Sequence, residues 1–143
     1  MARKFPLAGL LRLRHAEQDR AAAGLAAAND RLRDAADARV KARRSLADQA
    51  DAQPIEDAAT LSAVAAARAA TRGMLQELDA VVQSRRADAD RAQDAYTAAR
   101  RAALGLEKLE EQHVVAATAE DLRTEQNALD EIAARSRTEG GAR

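Results

Sequence analysis

The chain has 143 residues, 47% hydrophobic and 32% charged, with 23 basic residues against 23 acidic ones. Alanine fills most apolar positions, aromatics are 1%, and cysteine and tryptophan are absent. The composition excludes disulfides and thiolate metal sites. The neutral balance argues against nucleic acid as the main partner, and a wide globular core is not available, because each alanine buries about one methyl, worth roughly 0.8 kcal/mol.

The first fourteen residues carry leucines and bases, but Arg12 and Arg14 interrupt any signal-peptide core. No apolar run approaches the roughly 20 residues that span a bilayer. A cytoplasmic protein with no direct membrane insertion is expected. Pro6 suits the first turn of a helix, where its missing N–H costs nothing. From there a 3,4-spaced series runs through Leu7, Leu11, Arg14, Gln18, Ala21, Leu25, Ala28, Leu32, Ala35, Arg39, Ala42, Leu46 and Gln49. A seam of that length predicts a coiled coil. Gly24 weakens the helix without ending it.

The seam fails at Asp51–Asp57, where Pro54 cannot sit inside a helix and biases Gln53 toward an extended backbone. Glu56 and Asp57 suit the first turn of a new helix. A second series then runs through Leu61, Val64, Arg68, Thr71, Leu75, Leu78, Val82, Arg85, Ala89, Ala92, Tyr96, Ala99, Ala103 and Leu106. The pattern gives an all-α fold, a long antiparallel two-helix coiled-coil hairpin with a longer second helix. The whole chain, 1–143, is one coiled-coil domain: helix 1 about 6–52, turn about 53–57, helix 2 about 58–137, with Gly140 and Gly141 as the stop. The alternative, a straight rod that dimerises, requires a helix through Pro54.

A hairpin closing symmetrically at Pro54 sets Leu7 near Arg101 and Tyr96 near Arg12. Helix 1 then spans about 70 Å and helix 2 about 120 Å, and the last 30 or so residues of helix 2 project without a partner in the chain. The pattern changes where this projection begins. Continuing the second series would use Glu110, His113 and Ala117, and the apolar residues fall instead on Val115, Ala119, Leu122, Gln126, Leu129 and Ala133. That is a displacement of two residues, about 200° around a helix, with Gly105 at the change. An amphipathic overhang with a new face is a site for another protein or a frayed tail. A partner surface is the reading adopted, since an isolated helix needs no apolar stripe.

Charge follows the same division. The opening residues hold Arg3, Lys4, Arg12 and Arg14, with Arg100 and Arg101 expected beside them, whereas 107–131 is mainly acidic. Such polarity steers docking. No phosphate-cradling glycine loop is present. His15 and His113 are isolated from any second ligand at metal spacing and read as seam-edge or surface residues. Two packed helices offer grooves and no pocket that excludes water, so the chain reads as not an enzyme, with no cofactor, metal or catalytic residue. Phe5 reads as a staple over the first turn. Ala67, Thr71, Met74 and Leu78 form a further stripe on helix 2, in which Leu78 suits the core and Met74 an exposed contact.

Two end segments carry a resemblance. Phe5-Pro6-Leu7-Ala8-Gly9-Leu10-Leu11-Arg12-Leu13-Arg14 looks like the opening of the flagellar FliJ family, and Glu125-Gln126-Asn127-Ala128-Leu129-Asp130-Glu131-Ile132-Ala133-Ala134-Arg135 looks like its closing helix. The resemblance spans essentially the whole chain, but the aromatics that many members carry mid-chain are replaced here by alanine. It implies a cytoplasmic stalk and adaptor of the flagellar type III protein export apparatus, peripheral at the membrane-associated machine and serving motility. The implied partners are the flagellar export ATPase, the cytoplasmic domain of the export-gate membrane protein, and export chaperones that it escorts. Carried onto this sequence, the ring-facing residues are Leu7, Leu11, Arg12, Arg14, Leu106, Leu109, Val115, Leu122, Leu129 and Ile132. The gate-facing residues are Ala67, Thr71, Met74 and Leu78. The competing readings are a stalk of a non-flagellar type III secretion system and a structural coiled coil that self-associates.

Overall fold

The computed structural model describes residues 3–51 and 54–141. They form two helices, α1 over Ala8–Asp51 and α2 over Ala58–Gly140, 44 and 83 residues long. The fold is a helical hairpin with a longer second helix. Ala52 and Gln53, the residues that the sequence placed at the end of helix 1 and the start of the turn, lie outside the described residues.

The helix ends follow from local chemistry. Pro6 and Leu7 form a turn before α1, closed by the Ala8 N–H on the Phe5 carbonyl at 3.2 Å. Pro54–Glu56 are not helical, and α2 begins after Asp57. Asp57 is the N-cap: its carbonyl accepts from the Leu61 N–H at 3.1 Å, and its Oδ1 accepts from the Thr60 N–H at 2.6 Å. These bonds satisfy amides that a helix start leaves orphaned. The Thr60 amide, then the Thr60 hydroxyl, hold the Asp57 carboxyl below the usual carboxylate range, with the Ala59 amide adding a smaller pull and desolvation opposing them. At the far end, Gly141 N–H bonds the Arg137 carbonyl at 3.2 Å.

The chain divides into two compact units, Gln18–Ala98 and the described residues up to Glu17 with those from Ala99 onward. In the first unit, Gln18, Ala21, Leu25, Ala28, Leu32, Ala35, Arg39, Ala42 and Leu46 are buried or half-buried, and so is an α2 series from Val64 to Tyr96 with the same spacing. Ala28, Ala35 and Ala89 are its buried apolar core. Arg39 Nη1 lies 3.4 Å from Asp79 Oδ1, and the Thr71 hydroxyl lies 3.5 Å from Gln49 Oε1.

These pairs correct the symmetric closure. Arg39 meets Asp79, about ten residues further along α2 than closure at Pro54 predicts, roughly three turns. Gln49 is two residues from the end of α1, whereas Thr71 is thirteen residues into α2. The first turns of α2 thus precede the pairing, and Leu61 and Ile55 remain exposed. A non-helical linker beginning at Pro54 permits this asymmetry, because it has no tight turn to force the two ends level.

In the second unit, Leu11 and Ala103 form the buried core, Ala103 with no exposed surface at all. Phe5 and His113 stack with ring centroids 5.6 Å apart and planes tilted by 38°. His15 Nε2 lies 2.7 Å from Glu107 Oε1. Phe5 thus also packs across the hairpin on His113, and Leu7 lies well beyond Arg101 in register.

Candidate functional site

Because the register is displaced, the seam of α2 does not end at Leu106. It continues in its original spacing through Glu110, His113 and Ala117, all half-buried. Glu110 lines an open groove where its carboxylate can reach solvent, whereas His113 Nε2 is buried with no hydrogen-bond partner among the described residues. From residue 118 to residue 140 every residue is exposed. The unpaired stretch therefore begins about eleven residues later than expected, and Gly105 is an ordinary mid-helix residue away from the change.

The stripe read from the sequence lies on this stretch and the turn before it. Val115 is 64% exposed, Leu122 61%, and Leu129 and Ile132 62% each. Among the described residues, no other segment of the unit covers these side chains. On the paired portion, Leu7 and Leu109 are also exposed, as are the unforeseen Leu10 and Leu13. Arg12 is exposed, and Arg14 Nη1 bonds Glu17 Oε2 at 2.8 Å. Leu11 is buried and Leu106 half-buried, so those two hold the hairpin together at this level. The set expected to face the ring thus separates into exposed members and seam members.

Two open grooves flank the paired portion. Leu10, Arg14, Arg101, Leu106 and Leu109 line one, and Lys4, Phe5, Leu11, Arg12, His15 and Glu110 line the other. Arg101 therefore lies with Arg14 as charge patterning suggested, while Arg12 lines a groove with Glu110. Tyr96 is half-buried in the Gln18–Ala98 unit.

On that unit, Met74 is 56% exposed and Ala67 is exposed, whereas Thr71 and Leu78 are half-buried. The Thr71 hydroxyl donates to the Ala67 carbonyl at 2.9 Å. The four residues therefore present an exposed edge, Ala67 and Met74, backed by two seam residues.

Sequence reasoning missed the His15–Glu107 and Phe5–His113 pairs. The available signal is the unbroken 3,4 spacing through Glu110, His113 and Ala117, whose polarity masks it. Among the described residues, no group of three His, Cys, Asp or Glu converges to hold a metal ion, and no helix is long and apolar enough to cross a membrane.

Comparison with curated proteins gives no match, and neither does comparison with solved structures. The family described as the flagellar FliJ protein does match, over residues 3–140. An unequal two-helix hairpin, two FliJ-like end segments and a match across nearly the full length agree, and the chain belongs to the flagellar FliJ family, the non-catalytic stalk proteins of flagellar type III export.

Proposed function

We propose that this chain binds the ring of the flagellar export ATPase, promotes ring assembly and couples the ring to the export gate, while escorting export chaperones. The observation that carries this reading is the fully exposed 118–140 stretch with its apolar stripe. A helix that places Leu122, Leu129 and Ile132 in water gains nothing from them until a partner covers them. The exposed Leu7, Leu109 and Arg12 of the paired portion, with half-buried Arg14 beside them, extend the same surface. Leu11 and Leu106 support it from the seam.

Ala67 and Met74 form the proposed gate-facing edge, with Thr71 and Leu78 behind them. The placement is peripheral: the chain meets the membrane machine through the gate's cytoplasmic domain. The mechanism is allosteric and involves no chemistry on the chain. The stalk biases the ring only to the extent that the ring's subunit states bind it with different free energies.

The test uses the purified export ATPase under conditions where its ring forms. Adding the intact chain raises hydrolysis or ring formation, and the Leu122→Asp/Leu129→Asp variant does not. An intact chain that changes neither quantity sinks the proposal.

A further inference from the structure

The exposed stretch has a second property, independent of the ring. Val115, Ala119, Leu122, Gln126, Leu129 and Ala133 alternate spacings of four and three, the pattern of a coiled-coil seam. We propose that this stretch pairs antiparallel with the same stretch of a second copy of the chain.

Charge selects both the partner and the direction. Arg123 and Asp130 lie on one edge of the stripe, and Glu125 and Ile132 lie on the other. In an antiparallel pair like edges face each other, so Arg123 meets Asp130 of the second copy, twice by symmetry. Glu125 then meets Ile132 and no acid. In a parallel pair opposite edges face, and Glu125 meets Asp130 twice, acid on acid. Antiparallel registry also sets Leu122 against Ala133 and Leu129 against Gln126, so that large faces small or flexible. Among the described residues, Arg123 reaches only Glu120, at 3.9 Å with both groups well exposed, an arrangement of little strength that leaves its guanidinium available.

Only two leucines and one glutamine stand at the centre of each stripe, so the association is weak and reversible. Its consequence is that two copies cover the face that each would otherwise present.

The absence of cysteine makes the test direct. Full-length Ala119→Cys and Ser136→Cys proteins, mixed and oxidised, should form the mixed disulfide in preference to either homodimer, since antiparallel pairing sets residue 119 across from residue 136. Sedimentation equilibrium in the micromolar range should show a monomer–dimer equilibrium. Arg123→Asp should weaken it about tenfold, through two reversed ion pairs, and Arg123→Asp/Asp130→Arg should restore it. A dominant Ala119→Cys homodimer, a monomer at every concentration, or a swap that fails to restore dimerisation overturns the proposal. None of these readouts involves the ATPase, so failure here is distinct from failure of ring binding.

Discussion

At the scale of single residues, two features of α2 make opposite demands on stability. Asp57 caps the helix through the Thr60 amide, and that bond favours the ionised carboxyl. Its folded-state affinity for a proton is thus lower than in the unfolded chain. Stability from this group is present above the unfolded carboxylate range and is lost as pH falls through the depressed folded value. Thermal melts should show Asp57→Ala less stable than the parent at neutral pH, with the difference shrinking on acidification. Asp57→Asn, which keeps an acceptor, should lie near the parent at neutral pH. Gly105 is the contrary case. It is helical, has no positive φ, and a Cβ built on it meets nothing within 4 Å. Gly105→Ala should therefore raise stability by about 0.5–1 kcal/mol, read from denaturant midpoints.

At the scale of elements, the same residue type does different work on and off the seam. Leu11 is 6% exposed, and removing its side chain leaves a void between helices that touch mainly through alanine. Leu11→Ala should cost about 2 kcal/mol, the low end for a buried leucine because the core is one residue thick. Leu122→Ala, on the exposed stretch, should shift unfolding by no more than about 0.5 kcal/mol. Paired denaturation curves check both. The same contrast explains what was legible in the sequence. Spacing identified α1, α2 and nearly every seam residue from Leu11 to Leu106, because burial in a two-helix fold has only one periodicity to follow. The helix break at Pro54 was equally direct, whereas Glu56 and Asp57, which suit a first turn by charge alone, both precede α2, with Asp57 as its N-cap. Register was not legible. Ala28, Ala35, Ala89 and Ala103 are interchangeable partners, so sliding one seam along the other changes few contacts. The pairs that fix it, Arg39 with Asp79 and His15 with Glu107, join polar residues whose sequence positions advertise no preference. Polar Glu110 and His113 likewise looked like the end of the seam while lying within it. The exposed Leu122 and Leu129 were recognisable as a separate face, yet the sequence alone does not state what covers them.

At the scale of the whole molecule, stability should be distributed unevenly along α2. Residues 118–140 have their intrahelical hydrogen bonds but bury no side chain, whereas the helix around Ala89 and Ala103 is held by a packed neighbour. Isolated helices are marginal because nucleation is costly and each added residue contributes little. Local opening of 118–140 should then cost far less than opening of the seam. Amide hydrogen exchange on dilute protein should find fast exchange after Thr118 and strong protection at Ala28, Ala35, Ala89 and Ala103. A ligand that binds the closed helix stabilises it in proportion to the logarithm of its concentration over its dissociation constant. Saturating export ATPase should therefore slow exchange across 118–140, with little change at Ala28 or Ala89. If these amides are already as protected as the seam in dilute free protein, the stretch is not waiting for a partner. If saturation with the ATPase leaves them fast, the ring does not grip this helix. The contrast between the two regions tests the proposed role more sharply than overall stability does, because binding confined to the exposed stretch can move its exchange while the melting of the seam stays fixed.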